Sequence, residues 1–194
     1  HAAPALVLHD AAHASAVVGA PGVDVATLAA ARHGAPSPPS SFDPAAVATI
    51  LYTSGTTGRP KGVMLTHANH RASAEASRAG LGVAADDRWL CCLPLFHVGG
   101  LSIVERSVLD GVPVVLHERF DASAVWQAVA AERVTLLSVV PTMLHRLLAE
   151  VEAAPRPHAL RCVLVGGAAL DPAMHARARA LGLPIAATYG LTEA

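Results

Sequence analysis

The residues most suited to chemistry lie between Tyr52 and Val63, which read YTSGTTGRPKGV. Six consecutive residues, Thr53 to Gly58, are Thr, Ser or Gly, and Lys61 follows closely. Small residues let backbone N–H groups turn towards an anion, hydroxyl groups add donors, and a lysine adds a mobile positive charge. We therefore expect a phosphate-rich ligand. The alternative is a polar hairpin loop, but a turn does not need this density of hydroxyl groups or the lysine.

Three further segments carry residues that could face a ligand. The first ends in Pro-Leu-Phe-His at His97, and the second begins with Gly166 and Gly167. The third, residues 188–193, reads Thr-Tyr-Gly-Leu-Thr-Glu, a set that can stack on a base, donate to a phosphate and hold a cation. Taken alone, His97 is more typical of a packed histidine, the glycines are equally consistent with an ordinary turn, and the third segment is a weak signal.

Composition excludes several classes of protein. The 194 residues are 53% hydrophobic and 15% charged, which excludes a disordered chain. The net charge of −1 argues against a nucleic-acid binder, because phosphate backbones require a basic face. No apolar run approaches the ~20 residues of a membrane span. We expect small-molecule partners, no nucleic acid and no membrane span, while the oligomeric state stays open.

The cysteines and two histidines are interpreted as structural. The three cysteines do not form a disulfide framework and are typical of a reducing compartment, which predicts a cytoplasmic location. Cys91 and Cys92 lie in a predicted buried strand and point to opposite faces, so both thiols are expected to be inert. His67 and His70 could bind a metal, but no Cys or carboxylate is placed to complete a zinc set. We expect them to be solvated.

Alternating strands and helices must position the candidate segments. Apolar runs predict strands at residues 47–52, 62–65, 89–93, 112–116, 136–140, 162–165 and 185–188, the first two forming a hairpin-like unit. Helices are predicted at residues 67–79, 101–109, 122–131, 142–151 and 172–180. Thr66, Asp121 and Asp171 are predicted N-caps, and Gly80 is predicted to close the first helix.

The later strands predict the fold class. Residues 112–116, 136–140 and 162–165 are apolar throughout rather than alternating, which is typical of strands covered on both faces. We therefore predict an α/β fold with a largely parallel sheet flanked by helices on both faces. Ligands of such sheets bind beyond the carboxyl ends of the strands, where the candidate segments lie.

The chain is expected to comprise three parts. Residues 1–34, with a predicted strand at 5–8 and a helix at 25–32, are too few to bury a core and are interpreted as the tail of a preceding subdomain. Residues 35–46 form a connector rich in Pro and Ser, and residues 47–194 form the α/β core. The chain begins without Met and stops directly after a motif-like segment, so we expect both ends to be cut from a longer protein.

The segment TSGTTGRPKGV resembles the signature of the acyl-adenylate-forming superfamily of AMP-dependent synthetases and ligases, and the other three segments occur in the family's order. The resemblance implies that residues 47–194 are the ATP-binding core of the AMP-binding domain, with the C-terminal domain absent. It also implies that Mg²⁺ accompanies ATP. The residues implied to bind the β- and γ-phosphates are Thr53, Ser54, Gly55, Thr56, Thr57, Gly58 and Lys61.

The same resemblance implies roles for the other segments. His97 would face the acyl group and the pantetheine tunnel of CoA. Tyr189 would pack on adenine, Thr192 would bind the α-phosphate, and Glu193 would coordinate Mg²⁺. Gly190 would be a further cofactor-binding residue of the same segment. The adenine and acyl pockets would be lined by Gly166, Gly167, Ala168 and Ala169, although many members have a proline where this chain has Ala169. The residues implied to be catalytic are Lys61, His97, Thr192 and Glu193.

Residues 91–121, 134–150 and 160–170 are similar to the o-succinylbenzoate–CoA ligases of menaquinone biosynthesis. This similarity implies an aromatic dicarboxylic acid that is activated as an acyl-AMP, with release of pyrophosphate, and then transferred to CoA. Ser102 and Arg106 are candidates to bind the second carboxylate of this acid. Arg106 is equally well explained as a charged surface residue.

Two alternatives stay open at this point. The first is a general fatty or aryl acyl-CoA synthetase. The second is a non-catalytic nucleotide-binding module, because the family's ribose-binding Asp, its hinge and its C-terminal lysine all lie beyond the Thr-Glu motif. We expect the 194 residues alone to bind ATP weakly and to turn over little.

Overall fold

A computed structural model describes residues 4–30, 43–54, 59–151 and 159–193. The chain divides after Phe42 into two units. In the first unit, strand β1 (Val7–His9) pairs in parallel with β2 (Gly22–Asp24). A 3₁₀ helix (Ala11–Ala16) lies between them in sequence, and helix α1 (Val25–Ala30) follows β2. The strand and the helix predicted in this part of the chain are both present.

The second unit begins with a β-hairpin, as predicted. Strand β3 (Val47–Thr53) pairs antiparallel with β4 (Lys61–Thr66), and the register places Thr53 opposite Lys61. Residues 55–58, at the tip of the hairpin, lie outside the described residues.

Helix α2 (His67–Leu81) follows the hairpin directly. Thr66 is its N-cap, as predicted, and forms a capping box with Asn69. The prediction that Gly80 closes this helix is wrong. The helix continues to Leu81, and Gly82, whose φ of +68° suits a residue without a Cβ, caps it by donating its N–H to the Arg78 carbonyl.

A five-stranded parallel sheet forms the rest of this unit, in the order β6-β5-β7-β8-β9. Its strands are β5 (Trp89–Cys91), β6 (Val114–Leu116), β7 (Leu136–Val139), β8 (Cys162–Val165) and β9 (Ile185–Ala187). The connecting helices are α3 (Val98–Asp110), α4 (Ala122–Ala131), α5 (Pro141–Glu150) and α6 (Pro172–Ala180). The predicted parallel α/β sheet is therefore confirmed, as are the N-caps Asp121 and Asp171.

Helix α3 begins three residues earlier than the predicted residue 101, at Val98. Gly99 and Gly100 lower the helical propensity of this turn, so the sequence predicted that the helix starts after them. Tertiary packing overrides that preference, because a Cβ on Gly100 would lie 2.4 Å from the Pro94 carbonyl oxygen. The glycine lets the first turn of α3 lie against the chain that leaves β5.

Apolar side chains cover both faces of the sheet, in two separate clusters. One cluster joins the sheet to α4, α5 and α6 and contains Trp126, Leu144 and Leu147. The other joins the opposite face to α3 through Ile103. Strand β6 packs on both clusters, Val115 on the first and Val114 on the second, whereas Leu116 at its carboxyl end is 59% exposed.

The cysteines lie in this core, and all three are free and buried. Cys91 belongs to the α3 side of the sheet and Cys92 to the other, so the predicted alternation is confirmed. Burial raises the pKa of the Cys92 thiol to about 12, which leaves it protonated and unreactive. Within the described residues, no helix is both long and apolar enough to span a bilayer.

Candidate functional site

The carboxyl ends of the parallel strands bring three of the four candidate segments to one edge of the sheet. His97 follows β5, Gly166–Ala169 follow β8, and residues 188–193 follow β9. Strands β8 and β9 are neighbours, whereas β7 separates β5 from β8. The glycine segment and the final segment therefore leave adjacent strands.

Gly166 and Gly167 are required by the packing of these strand ends. A Cβ on Gly166 would lie 2.7 Å from Cγ2 of Thr188, and Gly167 has a φ of +79°. The backbone N–H of Thr188 donates to the Val165 carbonyl over 2.9 Å and holds the two segments side by side. The ordinary-turn interpretation thus accounts for both glycines, while the exposed Ala168 and Ala169 remain open to a ligand.

A cavity of about 630 Å³ lies beside these strand ends. Thr192 and Glu193, from the final segment, line it together with Thr188 and Leu191. Helix α2 contributes His70 and small side chains, and helix α3 contributes Val98, Ser102, Glu105 and Arg106. Among the described residues that line the cavity, Thr192 and Glu193 are the predicted site residues.

His97 is exposed, and the interpretation of it as a packed histidine is wrong. It is the N-cap residue of α3 but makes no capping hydrogen bond with its side chain. Its ring centroid lies 4.5 Å from that of Phe96, which is also exposed. His97 directly precedes the cavity-lining Val98, so its ring is available at the edge of the sheet.

The phosphate-type loop is described at its two ends. Thr53 ends β3 and Lys61 begins β4, so the hairpin register holds these two residues across from each other. Ser54 and Lys61 are exposed. The predicted ligands Gly55, Thr56, Thr57 and Gly58 lie outside the described residues.

Arg106 is half-buried, so surface charge does not account for it. Its guanidinium lies 5.6 Å from the centroid of the Trp89 ring, and its buried Nε has no hydrogen-bond partner in the described part of the chain. Burial lowers the pKa of Arg106, and the nearby Glu105 and Asp110 oppose that effect. An arginine stays charged under these conditions, so a cation lines the cavity.

His70 is the residue whose environment the sequence analysis described wrongly. Its side chain is 11% exposed rather than solvated, and its Nδ1 lies 2.8 Å from Oε2 of Glu105. Its Nε2 lies 2.8 Å from Oγ1 of Thr49. No local pattern points to these contacts, since Thr49 and Glu105 lie far from His70 in sequence.

A protein-family model described as AMP-binding enzyme matches residues 3–194. The chain belongs to the AMP-binding enzyme family. The family match reaches back well before Val47, where the recognised resemblance starts, and so includes the first unit.

Relatives within the AMP-binding enzyme family include the 2-succinylbenzoate–CoA ligase of Bacillus pumilus, which is 49% identical over 79% of this chain and 31% of its own length. The chain thus spans about a third of that curated relative. The o-succinylbenzoate coenzyme A synthetase of Bacillus subtilis, solved in complex with ATP and magnesium ion, is 38% identical with a TM-score of 0.88, covering 97% of this chain and 40% of that one. The N-terminal domain of FACL13 from Mycobacterium tuberculosis is 30% identical with a TM-score of 0.83, covering 96% and 50%.

Proposed function

We propose that this chain forms the ATP- and acid-binding part of an acid–CoA ligase. The reaction joins a carboxylic acid to AMP with release of pyrophosphate, and then forms a thioester with CoA. The proposed acid is o-succinylbenzoate, because that is the substrate in the names of the Bacillus relatives. Residues 47–194 form the ATP-binding core in this proposal.

One observation carries the proposal: Thr192, Glu193 and Arg106 line the same cavity. Thr192 and Glu193 supply a hydroxyl donor and a carboxylate suited to a metal-bound phosphate. Arg106 supplies a half-buried cation on the cavity wall, which suits a carboxylate. A volume of about 630 Å³ falls in the range of sites that enclose a small molecule.

The first chemical step is a displacement at the α-phosphorus of ATP. A carboxylate oxygen of the acid forms a bond to that phosphorus, and the bond to the pyrophosphate oxygen breaks. Lys61 and the hydroxyl-rich loop that begins at Thr53 stabilise the negative charge on the departing pyrophosphate. Thr192 donates to an α-phosphate oxygen, and the exposed Tyr189 ring stacks on adenine.

The second step passes the acyl group to CoA. The CoA sulfur, after losing its proton, forms a bond to the acyl carbon, and AMP leaves with the electrons of the acyl–oxygen bond. The exposed His97, at the start of α3, holds the acyl group on the side from which the thiol approaches.

The residues present fit a magnesium ion. Mg²⁺ binds one or two protein carboxylates together with substrate phosphates, and Glu193 is an exposed carboxylate at the cavity. The described residues contain no group of three or more metal-binding side chains, which is consistent with an ion held mainly by phosphates. When bound, Mg²⁺ supplies positive charge that neutralises the triphosphate.

Arg106 accounts for the choice of a dicarboxylic acid. One carboxylate of o-succinylbenzoate reacts with ATP, and the other needs a partner inside the cavity. The guanidinium of Arg106 is the cation for that second carboxylate, and Ser102, also on the cavity wall, lies one helical turn earlier.

ATP–pyrophosphate exchange by the complete gene product tests the proposal. We expect exchange that depends on o-succinylbenzoate and a CoA thioester product when CoA is added. Absence of exchange with every carboxylic acid, despite ATP binding, would overturn it and support a nucleotide-binding module.

A second candidate is a broader acyl-CoA synthetase, favoured by the likeness to the FACL13 N-terminal domain. Substrate profiling separates the two functions. Exchange driven equally by fatty acids and o-succinylbenzoate would support the broader enzyme, because Arg106 would then have no second carboxylate to bind.

We also propose a cytoplasmic location, supported by three buried cysteines that are all free. Fractionation of cells that express the complete gene product tests this. Recovery outside the cytoplasm would contradict it.

A further inference from the structure

His70 connects three elements that are separate in sequence. It lies in the first turns of α2, it contacts Thr49 on β3, and it contacts Glu105 on α3. Both contacts are 2.8 Å long, and the Glu105 side chain is only 22% exposed. Because both ring nitrogens have a partner and the side chain is largely buried, the imidazole holds its neighbours in a defined arrangement.

The two ring nitrogens of His70 face different partners, Nδ1 the Glu105 carboxylate and Nε2 the Thr49 hydroxyl. A hydroxyl can both donate and accept, so Thr49 pairs with Nε2 whichever ring nitrogen carries the proton. His70 therefore links Thr49 to Glu105, and we call these three residues the relay.

Each end of this relay adjoins one half of the proposed site. Thr49 lies four residues before Thr53 on the same strand, where the phosphate-type loop begins. Glu105 directly precedes Arg106, whose pKa it raises. His70, Glu105 and Arg106 all line the cavity.

We infer that His70 is a positioning residue that couples the ATP-binding hairpin to the acid-binding helix α3. Movement of β3 is transmitted through His70 to Glu105 and the adjoining Arg106, so that ATP and the acid are held in register for the displacement. This inference rests on the proposed function, because it concerns how the two substrates of that reaction are aligned.

A double-mutant cycle in the complete gene product tests the coupling. Thr49→Val removes the hydroxyl group at nearly constant volume, and Glu105→Met removes the carboxylate. Each substitution is expected to raise the KM for ATP and the KM for the acid together, by about threefold or more. The double variant should be little worse than either single variant, since the relay is already broken.

Substitutions of His70 separate the two halves of the relay. Asn places an amide near the position of Nδ1 and retains the Glu105 contact, so His70→Asn should match Thr49→Val. Gln places an amide near Nε2, so His70→Gln should match Glu105→Met. His145→Asn, at an exposed position of α5, is the control and should leave both KM values unchanged.

The outcomes distinguish this inference from the proposed function. If the unsubstituted protein catalyses exchange but the effects of Thr49→Val and Glu105→Met are additive, the inference is overturned and the function stands. Lower melting temperatures with unchanged KM values would also overturn it, since His70 would then be structural only. Absence of exchange in the unsubstituted protein would overturn both.

Discussion

Asp87 and Arg161 form a two-point ion pair at the amino ends of the parallel strands. Arg161 Nε donates to Oδ1 of Asp87 over 2.7 Å, and Nη2 donates to Oδ2 over 2.5 Å. The Thr135 hydroxyl also donates to Oδ1, over 2.8 Å. These three residues precede β5, β7 and β8, so the buried Asp87 carboxylate ties the starts of three strands together.

This pair makes the stability of the fold sensitive to acid. Hydrogen bonds from Arg161 hold the pKa of Asp87 at about 2, below the usual 3.8, although burial opposes them. A depressed pKa stabilises the folded state above pH 3.8 by about 2 kcal/mol, and this stabilisation disappears as the pH falls towards 2. We expect the free energy of unfolding, measured by urea titration, to decrease over that interval.

The variant Asp87→Asn is expected to lose about 2–3 kcal/mol at pH 7, because Arg161 is left partly buried without its charged partner. Its stability should also change less between pH 4 and pH 2. Asp86→Asn, at the exposed neighbouring position, is the control and should keep the acid sensitivity. If the free energy of unfolding depends on pH equally in Asp87→Asn and in the unsubstituted chain, the Asp87–Arg161 pair does not cause the acid sensitivity.

Arg106→Met is expected to raise the KM for o-succinylbenzoate by about tenfold or more, which corresponds to the loss of one hydrogen bond to a charged group. The KM for ATP should change little. A monocarboxylic analogue provides the control, because it lacks the second carboxylate and should respond weakly to the substitution. Kinetics of pyrophosphate release measure both. An equal increase in KM for both acids would mean that Arg106 stabilises α3 and does not bind the second carboxylate.

Gly166→Ala is expected to weaken nucleotide binding, because the added Cβ would lie 2.7 Å from Cγ2 of Thr188 and displace the segment that carries Thr192. Thr188→Ser removes that methyl group, so the double variant should recover most of the affinity. Calorimetric titration with ATP measures the effect. Failure of Thr188→Ser to restore binding would contradict the steric explanation.

Glu193→Gln is expected to raise the Mg²⁺ concentration needed for half-maximal exchange, by about tenfold, because an amide is a poorer ligand than a carboxylate for a hard cation. Saturating Mg²⁺ should restore part of the rate. Glu132→Gln, at an exposed position beyond the C-terminus of α4, serves as the control. If both variants need the same Mg²⁺ concentration for half-maximal exchange, Glu193 does not bind the metal.

Local signals were sufficient for most of the elements. The helices at 122–131 and 172–180 and the strand at 162–165 have the predicted bounds, because N-caps, a first-turn proline and an uninterrupted apolar run act within a few residues. Gly80 and Gly82 show the limit of such signals. Both are plausible helix ends in sequence, and the left-handed φ occurs only at Gly82.

The sequence by itself determined the family, the fold class and the short motifs, since these depend on residues that are close together along the chain. Only the tertiary structure decided that Arg106 is a half-buried cation on the cavity and that His70 connects Thr49 to Glu105. These relationships depend on where α2, α3 and the hairpin pack. That packing arises from contacts between residues far apart in sequence, which no local pattern encodes.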